Sequence, residues 1–95
     1  MLRIELTPTL DLCIEGSARQ AYKNSADEYM RKGKKDRKLE EKIELLRMFL
    51  ESMDFRKLRA ESEKHLTEGK KVRFILTSAK GKPKYEMKYE VVNPT

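Results

Sequence analysis

Residues 71–92, KVRFILTSAKGKPKYEMKYEVV, decide the fold class. Val72, Phe74 and Leu76 alternate with Arg73, Ile75 and Thr77. After AKGKP, Tyr85, Met87, Tyr89 and Val91 alternate with Glu86, Lys88 and Glu90. A period of two puts one set on each face of a strand, because successive side chains point to opposite sides. Gly81 supplies a permissive turn position, so the stretch predicts a hairpin with strands near 71–78 and 84–92.

The N-terminus carries the same period. Leu2, Ile4 and Leu6 alternate with Arg3 and Glu5, and Leu10, Leu12 and Ile14 alternate with Asp11, Cys13 and Glu15. Pro8 between them removes a ladder donor, so 2–6 and 10–15 read as a second hairpin. Gly16 then turns the chain, and Ser17 with Gln20 forms a capping box that opens a helix ending at Gly33. Its stripe is Ala18, Ala21, Tyr22, Ala26, Tyr29 and Met30.

Asp36 is placed to cap a second helix, in which Leu39, Ile43, Leu46, Leu50 and Met53 recur every three or four residues and Leu45 and Phe49 widen the face. So wide a face implies burial on more than one side, within the chain or against a second copy. Phe55, Leu58, Ser62, His65 and Leu66 are out of phase with this stripe. A break near Asp54 and a third helix ending at Gly69 are expected, with one bent helix over 37–68 as the alternative. The order ββ-α-α(α)-ββ predicts an α+β domain: a four-stranded antiparallel sheet from two hairpins, with two or three helices on one face. From residue 17 onward the order also fits a winged helix, although Glu61, Glu63 and Glu68 suit its reader helix poorly.

Ninety-five residues make a single domain with a small core, and 40% charged residues far exceed the roughly 25% of average proteins. Cys13 is the only cysteine, which excludes an intramolecular disulfide and fits a reducing cytoplasm. No apolar run is long enough to span a bilayer, and MLRIEL lacks the pattern of a signal peptide. Abundant Lys and Glu with a single Gln is a balance met in heat-adapted proteins.

The formal charge of +6 is concentrated. Arg31, Lys32, Lys34, Lys35, Arg37 and Lys38 surround one Asp36, and Lys70, Lys71, Arg73, Lys80, Lys82 and Lys84 lie in a stretch with no acid. These stretches carry +5 and +6, and the rest of the chain sums to −5. Clustered cations neutralise phosphates and release condensed counterions, so a nucleic acid, DNA or RNA, is the expected partner. Homodimerisation would duplicate the clusters and raise avidity on a long polyanion. The competing class is a structural or protein-interaction domain whose basic loops confer solubility or dock an acidic protein.

Catalytic and metal chemistry have little support. Glu61, His65 and Glu68 share a helical face, but there is no second histidine for a metal. Cys13, on the outward face of the expected strand 10–15, has no adjacent cation to activate it, and Ser17 reads as a cap. Isolated glycines make no phosphate loop, and no cofactor is implied. The aromatic residues fall mainly on core stripes, leaving Tyr22 and Tyr29 as candidates for exposure. The expectation is a small, basic, non-catalytic binding module.

Overall fold

The computed structural model describes residues 2–79 and 85–93. They form β1 (Arg3–Leu6), α1 (Ile14–Arg31), α2 (Arg37–Ser52), α3 (Phe55–Thr67), β2 (Lys71–Ser78) and β3 (Tyr85–Val92). The α+β class holds, but the sheet has three strands, antiparallel in the order β1-β2-β3. The C-terminal strands match the alternation, with Lys71 opposite Val92 and Ser78 opposite Tyr85. β1 lies on the other side of β2, with Arg3 opposite Thr77 and Leu6 opposite Phe74.

The expected strand over 10–15 does not form. The Thr9 N–H donates to the Leu12 carbonyl at 2.9 Å and the Leu12 N–H to Thr9 Oγ1 at 3.0 Å, which closes a turn where a ladder was expected. Ile14 is the first residue of α1, and the Ser17 N–H donates to the Cys13 carbonyl at 2.8 Å. Both periods share Ile14. It alternates with Leu12, but it also starts the helical series Ile14, Ala18, Ala21 and Tyr22, and packing against the core favours the helix. Leu10 and Leu12 are left 62% and 44% exposed. Ser17 therefore lies inside the helix, and Cys13 is its N-cap, with no side-chain cap bond. A Cβ at Gly16 would meet Leu12 Cδ1 at 2.8 Å, the tip of an exposed side chain that can swing aside.

The other helix boundaries follow local chemistry. Asp36 Oδ1 accepts from the Leu39 N–H at 3.1 Å and Asp54 Oδ1 from the Arg56 N–H at 3.2 Å, so the break at Asp54 separates two helices. α3 stops where the Lys70 N–H reaches the His65 carbonyl at 3.0 Å and Gly69 takes φ +82°.

Helices cover one sheet face. Ile4, Leu6, Val72, Phe74, Leu76 and Tyr85 meet Ile14, Ala18, Leu45, Leu46 and Phe49 in a single core. Phe49 lies edge-on to Phe55 and Tyr85, with centroids 5.3 and 6.2 Å apart, and the Ser52 and Tyr85 hydroxyls hydrogen-bond. Of the wide stripe of α2, Leu39, Leu45, Leu46 and Phe49 are buried within the chain and Ile43, Leu50 and Met53 are partly buried. α3 lays Leu58, Ser62 and Leu66 inward. On the opposite sheet face Ile75 is the one buried residue among those described, with Arg3, Glu86, Lys88 and Glu90 around it.

Candidate nucleic-acid interface

Helices α1 and α2 make an antiparallel pair of which only one half joins the core. Ala18, Ala21 and Tyr22 of α1 and Leu45, Leu46 and Phe49 of α2 belong to it or pack on it, whereas no residue from Lys23 to Glu44 does. Ser25 and Leu39, buried outside that cluster, pack the distal half. At 1.5 Å per residue, the first turn of α2 stands about 12 Å along its axis from Leu45. The molecule is correspondingly elongated, 43 × 30 × 26 Å.

At the end of this arm sits the stretch RKGKKDRK. The Gly33 N–H donates to the Met30 carbonyl at 3.1 Å and the Lys34 N–H to the Tyr29 carbonyl at 2.9 Å, a Schellman closure with Gly33 at φ +71°. Lys34 follows at φ +62°, a left-handed conformation rare for a residue with a Cβ. Two residues later Asp36 caps α2, so both sides of the turn are pinned. A clasp crosses it, with Tyr29 Oη donating to Glu40 Oε1 at 2.6 Å. That bond raises the Tyr29 pKa, because Glu40 accepts from the protonated phenol.

Lys32 is neutralised, with Nζ 3.3 Å from Glu28 Oε1 and 3.1 Å from Asp36 Oδ2. The Asp36 carboxyl sits below its usual range, first because the Leu39 N–H donates to it and then because of Lys32. Among the described residues Arg31, Lys34, Lys35, Arg37 and Lys38 make no salt bridge, and all five are exposed. Elsewhere the arginines are mostly engaged: Arg3 with Glu5, Arg19 with Glu15, Arg47 with Glu44 and Glu51, and Arg59 with Glu63. Among the described residues Arg56 is the one arginine outside the arm with no carboxylate partner.

The second basic stretch is arranged differently. Lys70 Nζ lies 3.0 Å from Glu68, and Arg73 grips Glu90 through Nε at 3.0 Å and Nη2 at 2.7 Å. Arg73 holds the Glu90 carboxyl below its ordinary range, with Lys88 assisting, and Lys70 does the same to Glu68. Lys71 is exposed and makes no salt bridge among the described residues. Lys80, Lys82 and Lys84 lie outside the described residues. The two basic groups stand on separate elements, and no hydrogen bond or salt bridge among the described residues joins them.

His65 turns toward the sheet, its ring 6.4 Å from that of Tyr89. His65 Nδ1 and Tyr89 Oη are both buried without a hydrogen-bond partner. Burial raises the Tyr89 pKa, with Glu61 adding to the effect. No group of three metal-ligating side chains occurs among the described residues, and none of their helices is long and apolar enough to cross a membrane.

A family model matches residues 1–91, so the chain belongs to that family, one without a characterised function. No curated protein and no solved structure matches it.

Proposed function

We propose that this chain is a small cytoplasmic binding module, a homodimer and not an enzyme, that docks on nucleic-acid phosphates through the end of the α1–α2 arm. The observation that carries this reading is the set of five exposed cations, Arg31, Lys34, Lys35, Arg37 and Lys38, without carboxylate partners among the described residues, on a turn pinned from both sides. A pinned turn presents its charges with less ordering cost on contact. Tyr29 is the only aromatic residue between Lys23 and Glu44, and its hydroxyl is committed to Glu40. The contact is therefore phosphate neutralisation without base stacking. Lys80, Lys82 and Lys84 belong to the proposal on sequence alone, and the ion-paired helices suit a heat-adapted source.

Fluorescence anisotropy with generic duplex and single-stranded oligonucleotides across a salt series tests it. Affinity should fall steeply with salt, and changing the five cations to Gln should reduce the log–log slope by up to about 4.5. Absence of binding at low salt overturns the reading and leaves an acidic protein as the ligand of the same cations. A parallel Lys80→Glu, Lys82→Glu, Lys84→Glu variant decides whether the β-hairpin loop shares the site.

A further inference from the structure

The strand β3 pairs with β2 alone among the described residues, so one of its hydrogen-bonding edges has no strand partner. Natural sheets blunt such edges by keeping them short, bulging them or placing charges on them, lysine above all. β1, the other edge, is short at 4 residues, whereas β3 runs for 8 with no bulge, its register unbroken from Val92 to Tyr85. Its lysine is matched: Lys88 has Glu90 two positions on, both on the face away from the helices, with Lys88 Nζ 3.2 Å from Glu90 Oε1. On the helix side, Met87, Tyr89 and Val91 are only partly buried.

A second copy meeting this edge antiparallel must keep helices on one side. Residues of the same facing must therefore lie opposite each other, and the axis must pass through a residue, not between two. An axis at Lys88 opposes Lys88 to itself and Glu86 to Glu90. An axis at Glu90 opposes two carboxylates and shortens the overlap, and one at Met87 opposes Glu86 to Lys88 but pairs only residues 85–89. An axis at Tyr89 opposes Lys88 to Glu90 twice, Met87 to Val91 twice and Glu86 to Val92, using residues 86–92. Only this register combines long overlap with opposite charges, and directly opposed charges of unlike sign stabilise a strand pair.

We infer that two copies join along β3 about a two-fold axis at Tyr89, making one continuous six-stranded sheet with the helices of both on the same face. This names the interface of the homodimer proposed above and rests on that dimer, but not on nucleic-acid binding. The dimer carries two basic arms, and linked contacts on one polyanion multiply affinity without new chemistry.

Sedimentation velocity without nucleic acid, from about 1 µM to about 1 mM, should show the mass rising from 11.2 kDa toward twice that value. Lys88→Glu and Glu90→Lys should each weaken self-association by about tenfold or more, while an equimolar mixture of the two associates again, because one variant then carries carboxylates at both positions and the other carries ammonium groups at both. Because Glu90→Lys also deprives Arg73 of its partner, an exposed pair gives a second readout. On a Cys13→Ser background, Glu86→Cys mixed with Val92→Cys should cross-link severalfold more than Glu86→Cys alone. A chain that stays at 11.2 kDa throughout, association unaffected by Lys88→Glu, or equal cross-linking in both samples overturns the interface. Dimerisation without phosphate binding would refute the functional reading and leave this one standing.

Discussion

The two basic stretches look alike as sequence and differ as surfaces. On the α1–α2 arm one carboxylate pair, Glu28 and Asp36, is spent on Lys32, and the other five cations face solvent without a partner among the described residues. At the start of β2 the charges of Lys70 and Arg73 are met by Glu68 and Glu90. Glu90 reaches Arg73 only because β3 folds back in a register that sets the two residues opposite each other. Cations on a turn between antiparallel helices have few neighbours, whereas cations on a strand have cross-strand neighbours on their face. Local charge density is therefore a poor measure of available charge.

Loosening the arm or its anchor has the largest expected effect. Phe49→Ala removes a fully buried ring that packs against Phe55 and Tyr85, and should cost about 3–5 kcal/mol in urea unfolding. Leu39→Ala, buried outside the main core, should cost about 2 kcal/mol, the low end for such a truncation. Equal losses at the two sites would mean that the distal half of the arm is as firmly packed as the core.

The charge contrast itself is tested by neutralising each stretch in turn. Lys70→Gln, Lys71→Gln and Arg73→Gln together should change the salt slope by at most about 1, the share of Lys71, against up to about 4.5 for the arm. A smaller change is expected from Lys34→Gly. Relieving a left-handed lysine should stabilise the fold by about 1 kcal/mol, read as a higher urea midpoint, and remove about 0.9 from the slope.

The weakest effect is the pH dependence. Glu90 and Glu68 have pKa values lowered in the folded state, so their contribution is complete above the unfolded value of about 4.3 and is lost as pH falls through the folded values. The urea midpoint should fall on acidification below about pH 4.3, and by less in Arg73→Gln, where Glu90 has lost its main partner. An identical acid profile in that variant would show that the Arg73–Glu90 pair does not stabilise the sheet.

Much of the fold is legible residue by residue. Asp36 and Asp54 at helix starts and Gly33 and Gly69 just past helix ends act within a few positions of themselves, and the two alternating runs around AKGKP pair as sequence neighbours. Residues 10–15 misled because three alternating hydrophobes satisfy a strand and their last member also begins a helical stripe. The choice between the two depends on what Ile14 packs against. Within the candidate site the arm's charges were visible, but the Tyr29–Glu40 clasp joins residues eleven apart across a turn, and no local pattern announces it.

The order of charges and of hydrophobic periods along this chain therefore determined the element types, most of their ends and where the cations concentrate, because those properties arise from short-range steric and hydrogen-bonding rules. Which cations keep their charge available, whether the segment after Pro8 becomes strand or helix, and which strands form the edges of the sheet were decided only in three dimensions. Each depends on a partner distant in sequence, and that partner is brought close only when the apolar faces collapse onto one another.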